Sequence, residues 1–271
     1  MNIKKSIPAT YGHGTHNDFV IIFDPEDQLS VTTVQTQAIC NRVSGIGADG
    51  LIRILKRQGR WFMDYRNSDG SIAEMCGNGI RVMAKYLVAH GHQGEGIFAI
   101  DTRDGIKHLR VPAEGDISVN MGKVFDESEE VTASQNGHIW NGYNINVGNP
   151  HAVVFVDDLE LVGDLKDAPI VRPKESYPEG VNVEFVEFIS DSEVKMRVFE
   201  RGSGETQSCG TGTCAVALAA TLKKNKNLPA KWVIYPPGGR LEVDIDSHSN
   251  ATLIGPAELI REVDLATYFN E

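Results

Sequence analysis

The chain has 271 residues, 41% of them hydrophobic and 23% charged, with 26 Lys and Arg against 37 Asp and Glu for a formal net charge of −11. That length suits two domains of ordinary size or one large one. An acidic chain with no long basic run is a poor partner for nucleic acid or an anionic membrane surface. No apolar run approaches the roughly 20 residues of a spanning helix. Lys4 and Lys5 are followed by Pro8, Gly12 and Gly14, not by an apolar stretch. No signal peptide is expected, and the expected location is cytoplasmic.

Short apolar runs alternate with turn signals along the chain. Residues 19–23 read as a buried strand closed by Asp24-Pro25, and 152–156 as another closed by Asp157-Asp158. Residues 183–189 and 194–199 are further strands, the second with period-two alternation. Two helices are expected: 80–88 after Gly77-Asn78-Gly79, and the Ala-rich 213–222 after Gly210-Thr211-Gly212. Four cysteines do not make a disulfide framework in a chain this long, so free thiols are expected. Cys214, inside the second helix, reads as a small buried hydrophobe. No CxxC or HxxxH spacing supports a metal site.

An internal repeat organises the sequence. Cys76-Gly77-Asn78-Gly79 recurs as Cys209-Gly210-Thr211-Gly212, 133 positions on. Asn67 precedes the first Cys by nine residues, and Glu200 precedes the second by nine. Gly47-Ala48-Asp49 corresponds to Gly180-Val181-Asn182, and Asn17-Asp18-Phe19 to Asn149-Pro150-His151. Two similar halves follow, residues 1–118 and 119–256, with 257–271 returning to the first. A cleft between them is the natural place for both CGxG turns to face one ligand.

The start of a helix carries unpaired N–H groups and a partial positive charge, so it binds a carboxylate readily. The same field lowers the pKa of a Cys placed there. Two such turns around one carboxylate would set a thiol on each side of it. Inverting an amino acid at Cα needs that arrangement: a thiolate takes the proton from one face while a thiol delivers one to the other. With no pyridoxal cofactor as electron sink, the carbanion's charge must spread into the carboxylate and be held by the helix N–H groups. No cofactor and no metal are therefore expected.

Asn67-Ser68-Asp69-Gly70-Ser71, followed after four intervening residues by Cys76-Gly77-Asn78-Gly79-Ile80-Arg81, resembles the signature of diaminopimelate epimerases. So does the run from Glu200 through Arg201 to Cys209-Gly210-Thr211-Gly212, with Gly148-Asn149-Pro150-His151 and Glu179-Gly180-Val181-Asn182 as further landmarks. The resemblance implies an α/β (α+β) fold of two pseudo-symmetric halves, each a curved, mostly antiparallel sheet wrapped around a central helix. It implies interconversion of LL- and meso-2,6-diaminoheptanedioate, a step toward lysine and cell-wall precursors, by a homodimer. It assigns Cys76 and Cys209 as the acid–base thiols, with His151 and Glu200 assisting. The N–H groups of Gly77, Asn78, Gly210 and Thr211 would hold the reacting carboxylate. Arg201 would pair with the distal carboxylate, Asn67, Asn149 and Asn182 would bind that end, and Asn17 would line the cleft. Two departures are visible. Gly12-His13-Gly14-Thr15-His16 precedes Asn17, where many members have Gly-Leu-Gly just before the Asn, and Gly50 stands where some carry Gln. A racemase of another amino acid and a hydrolase using Cys209 with His151 are the alternatives.

Overall fold

The computed structural model describes residues 6–269; Lys4, Lys5 and the last two positions of the expected C-terminal return lie outside the described residues. The chain divides into two compact units. One runs to Val119 and resumes at Pro256; the other is Asn120–Gly255.

In the first unit, β1 (Pro8–Gly14) and β2 (Asn17–Phe23) form an antiparallel hairpin. Its two-residue loop is Thr15-His16, with φ of 50° and 57°. Positive φ at both loop positions matches the right-handed twist of the strands, and it makes Asn17 the first residue of β2. After α1 (Thr33–Cys40), which starts on a Thr32–Gln35 capping box, β3 (Gly50–Arg57) lies parallel to β2, with Gly50 beside Phe19. Phe19, Val20 and Ile21 are fully buried, as the continuous apolar run of a central parallel strand requires. β4 (Arg60–Asn67) is antiparallel to β3 and leads into α2 (Gly77–Ala89). β5 (Gly96–Thr102) returns parallel to β4, β6 (Gly105–Val111) is antiparallel to β5, and β7 (Ile117–Lys123) carries the chain into the second unit.

The second unit repeats the plan. β8 (Phe125–Gln135) and β9 (His138–Asn146) form a hairpin, and β10 (Pro150–Phe155) is antiparallel to β9. The short β11 (Ile170–Arg172) lies on β8. β12 (Asn182–Phe188) runs parallel to β10 with Asn182 beside His151, and β13 (Glu193–Glu200) is antiparallel to β12. The short β14 (Gly204–Thr206) precedes α3 (Gly210–Lys223). β15 (Ala230–Tyr235) then lies parallel to β13, and β16 (Leu241–Ile245) and β17 (Asn250–Gly255) follow antiparallel. Back in the first unit, β18 (Glu258–Asp264) pairs with β1, and α4 (Ala266–Phe269) closes the described chain.

The sequence β1-β2-β3-β4-α2-β5-β6 is thus matched by β9-β10-β12-β13-α3-β15-β16, with the same alternation of antiparallel and parallel neighbours. Within its own unit, α2 packs on β1, β2, β3, β6 and β18, and α3 on β8, β9, β10, β12, β15, β16 and β17. A helix surrounded by strands must be apolar on nearly every side. Ala215, Val216, Ala217, Ala219 and Ala220 of α3 are fully buried.

Two details correct the sequence reading, and a third explains one of the departures it noted. Both helices begin three residues earlier than expected, because the glycines of the CGxG segments are the first helical residues and not a preceding turn. The repeat also slips by one position: Asn182 takes the ladder place of Gly50, not of Asp49. Gly50 itself is dictated by close approach, since a Cβ there would sit 2.6 Å from both Arg66 O and the Tyr65 ring.

Candidate active site

Cys76 and Cys209 occupy the same local position. Each is the N-cap of its unit's central helix in extended conformation, with φ, ψ of −136°, 120° and −120°, 118°. Each sulfur accepts the backbone N–H three residues on, from Gly79 and Gly212, at 3.4 Å. The thiols therefore sit at the positive end of a helix, beside N–H groups that have no acceptor inside the helix.

In the first unit, the Cys76 thiol donates to Asn17 Oδ1 at 3.6 Å, and Asn78 Nδ2 donates to the same oxygen at 3.2 Å. Asn17 is held from behind: its Nδ2 donates to Asp49 Oδ2 at 2.8 Å. Arg42 bridges Asp49 and Asp18, and Tyr11 donates to Asp18 at 2.6 Å. Burial lifts the Asp18 carboxyl, but the hydrogen bonds from Arg42, Tyr11 and the Asp49 N–H outweigh it and hold it below the usual range. Beneath the first turn of α2, the fully buried Arg81 donates to Gly77 O and Thr15 Oγ1. Asn67 bonds locally to Ser71, whose N–H is in turn fixed by Asp69.

In the second unit, Cys209 is 6% exposed. Its sulfur lies 3.5 Å from Thr211 Oγ1 and hydrogen-bonds to the Glu200 carboxylate. Asn149 Nδ2 donates to Thr211 Oγ1 at 3.4 Å, and Asn149 Oδ1 lies 3.0 Å from His151 Nε2. His151 Nδ1 is 2.7 Å from Glu184 Oε1, with both side chains fully buried. Asn182 spans the two strand ends: it donates to Pro150 O and accepts from the Arg201 N–H. The exposed Arg201 guanidinium reaches the carbonyls of Glu179 and Gly180 and makes no pair with Glu200.

The electrostatics correct one expectation. Burial pushes the Cys209 thiol well above its ordinary range, and the Glu200 and Glu184 carboxylates push it further. The Thr211 hydroxyl and Gly212 N–H pull the other way without offsetting this. Desolvation can shift a buried group by several pK units; a helix terminus is worth roughly 0.3–2 kcal/mol, at most about 1.5 units. Cys209 is therefore held as a thiol. Glu200 is also raised, by burial first and by Glu184 as well, against bonds from Thr206 and Cys209.

The sequence reading missed Asp49, Arg42, Arg81 and Glu184. Each is a charged side chain with at least one partner distant along the chain. The one available signal was a charge inside an apolar run, as in Ile80-Arg81-Val82 and Val183-Glu184-Phe185. Among the described residues, no group of three His, Cys, Asp or Glu side chains is arranged to hold a metal ion, and no helix is long and apolar enough to cross a membrane.

The arrangement is that of a fold built twice around a capped helix, and solved structures share it. A Bacillus anthracis phenazine biosynthesis protein of the PhzF family matches with a TM-score of 0.76 at 15% identity, covering 96% of this chain and 99% of that one. A hydroxyproline epimerase from Agrobacterium vitis matches with a TM-score of 0.72 at 14% identity, covering 98% and 94%. The sequence is more specific. The family model for diaminopimelate epimerase matches residues 9–125 and 143–260. Diaminopimelate epimerase of Streptomyces coelicolor is 44% identical, over 93% of this chain and 92% of that protein. The Thermobifida fusca protein of the same name is 40% identical, over 94% and 96%. The chain belongs to the diaminopimelate epimerase family.

Proposed function

We propose that this chain is a cofactor-independent isomerase that converts LL-2,6-diaminoheptanedioate to the meso isomer, with one thiol from each unit acting on opposite faces of the same α-carbon. The observation that carries the reading is the repeated helix start: a Cys N-cap, glycines at the first and third helical positions, and a sulfur bonded to the third N–H, in a chain of this family. One thiolate takes the α-proton. The electron pair left on carbon delocalises into the carboxylate, where the N–H groups of Gly77, Asn78, Gly210 and Thr211 stabilise it. The opposite thiol then gives its proton to the other face, so thiol and thiolate have exchanged places. Burial and two carboxylates keep Cys209 protonated, which suits it as the resting donor and leaves the first abstraction to Cys76.

Arg201 binds the distal carboxylate through its planar fork. Asn67, Asn149 and Asn182 bind the distal amino and carboxylate groups, Asn17 lines the substrate pocket, and His151 and Glu200 support proton movement at Cys209. The two epimerase halves, a cytoplasmic location, a homodimer and service to lysine and cell-wall precursor synthesis belong to the same proposal. The relatives' names support the biosynthetic step; the halves, the location and the homodimer rest on the family resemblance.

The test is α-proton exchange in deuterated water. LL-diaminopimelate should exchange and isomerise, and Cys76→Ala or Cys209→Ala should each abolish isomerisation. Exchange with proline or histidine instead would assign a racemase of another amino acid. Retention of activity in Cys76→Ala would point to a Cys/His hydrolase and overturn the reading.

A further inference from the structure

Glu184 stands in the middle of an apolar central strand, Val183-Glu184-Phe185-Val186, and is fully buried. Placing a carboxylate there is costly unless it is paired. One oxygen, Oε1, has His151 Nδ1 at 2.7 Å; the other, Oε2, is buried without a hydrogen-bond partner among the described residues. The same carboxylate abuts α3: a Cβ on Gly212 would lie 2.6 Å from Oε1. Glu184 thus bears on both the histidine and the turn that carries Cys209.

The first unit shows what packing alone asks of this place. By ladder register, His151 and Glu184 correspond to Phe19 and Ile52. Both are fully buried. A Cβ on Gly79, the counterpart of Gly212, would lie 3.0 Å from Ile52 Cδ1 and 3.3 Å from Phe19 Cε1. An apolar pair closes the fold there. The polar pair in the second unit therefore serves something other than packing.

From Glu184 a line of contacts leads to the thiol. A carboxylate and an amide oxygen both only accept, so Nδ1 of His151 donates to Glu184 and Nε2 donates to Asn149 Oδ1. Nε2 faces Asn149 Oδ1 at 3.0 Å, the Asn149 amide donates to Thr211 Oγ1 at 3.4 Å, and that hydroxyl is 3.5 Å from Cys209 Sγ. The other titratable groups facing Glu184 or Cys209 are Glu200 and Tyr177. We infer that Glu184 is a positioning residue of the Cys209 half-site, fixing the His151 ring so that Asn149 and Thr211 hold the thiol in its reactive orientation. The inference deepens the proposed epimerase reading and rests on it for the role of Cys209.

The experiment compares wild type, Glu184→Gln, His151→Gln and the double variant, with LL-diaminopimelate as substrate. Glu184→Gln should lower kcat on the order of 10–100-fold, the range seen when a supporting partner of a reactive group is lost, with KM within about twofold and a displaced pH profile. Added to His151→Gln, it should cost less than about twofold more, because it acts through that ring. Wild-type kcat and pH profile in Glu184→Gln, or losses that multiply in full, would overturn the inference. Two readouts need no substrate. Alkylation of Cys209 by iodoacetamide, followed by peptide mass spectrometry, should quicken in Glu184→Gln at neutral pH, and an unchanged rate counts against us. In wild type, nitrogen-15 NMR of the histidines should find a protonated, exchange-protected Nδ1 on His151; a bare Nδ1 overturns the inference even if the variants fail to fold. Wild type inert toward LL-diaminopimelate would end the functional reading alone, leaving these two measurements to decide the positioning. Finally, His151→Phe with Glu184→Ile, which copies the first unit's pair, should fold with a melting temperature close to wild type and lose isomerisation. An active transplant would show the polar pair to be dispensable.

Discussion

Asn17 and Cys76 come from different elements, the first residue of β2 and the N-cap of α2, and meet with the thiol donating to the amide oxygen at 3.6 Å. The amide is not free to turn, because its nitrogen is committed to Asp49 at 2.8 Å. The orientation of the first thiol is therefore coupled, through Asn17, to the Asp49 carboxylate.

Removing that acceptor should be felt in turnover. Asn17→Ala deletes one hydrogen bond to the thiol and one to Asn78. At about 0.5–1.5 kcal/mol each, a loss on the order of tenfold or more in kcat is expected. Asp49→Ala, which frees the Asn17 amide to flip, should cost a similar factor. Steady-state rates of isomerisation test both, and wild-type kcat in either variant would show the contact to be incidental.

Glu200 raises the proton affinity of Cys209, whereas Cys209 lowers that of Glu200. Taking the negative charge away in Glu200→Gln should ease ionisation of the thiol, because Glu200 is the leading charge acting on it after burial. A change of one pK unit would give about a tenfold faster alkylation of Cys209 at pH 7.5. The Cys76 rate in the same digest serves as the control. Isomerisation should fall in the same variant.

Asp64 is 2% exposed and lies between Arg53, at 3.0 Å, and Arg103. Burial raises its carboxyl, but the hydrogen bonds from Arg103 and Arg53 outweigh this and hold it below the usual range. A depressed acid stabilises the fold above its unfolded pKa of about 3.9, and that contribution is lost as pH falls through the folded value. Asp64→Asn should therefore destabilise by about 3 kcal/mol at pH 7, the low end for breaking a buried pair. The gap to wild type should narrow at acid pH, as pH falls below about 3.9 and through the lower folded value. Urea unfolding at neutral and acid pH measures it; a gap independent of pH would rule out the ion-pair account.

The glycines at the third helical positions should respond differently to a methyl group. Alanine in a helix is worth up to about 1 kcal/mol over glycine. At Gly79 the new Cβ meets the ends of Ile52 and Met63 at 3.0 Å, which can move. At Gly212 it meets the Glu184 carboxylate at 2.6 Å, which His151 holds. Gly79→Ala should be close to neutral and Gly212→Ala destabilising by about 1–3 kcal/mol in denaturant melts. Equal effects would refute the distinction.

The central strands and both long helices could be read from the sequence because their apolar runs have no other use. The paired cysteines were readable because C-G-x-G recurs at a fixed separation. Gly77 and Gly210 misled, since glycine before a helical pattern reads as a turn, whereas here it opens the helix with no side chain. The Thr15-His16 loop gave no signal, because neither residue type announces positive φ. The charged shell was hidden for a different reason. Asp49, Arg42 and Glu184 acquire meaning only from partners across strands, and a lone charge in a sequence reads as surface.

Sulfur is a weak acceptor, and Ser, Thr, Asp or Asn is what the start of a helix ordinarily asks for. Two helices at the heart of this protein nonetheless begin on cysteine. Oxygen in either place should anchor the first turn more firmly, so Cys76→Ser and Cys209→Ser should melt at or above the wild type. The protein keeps its two best-buried helices less firmly tied than chemistry would permit, and on the proposed reading that slack is where selection has preferred turnover to durability.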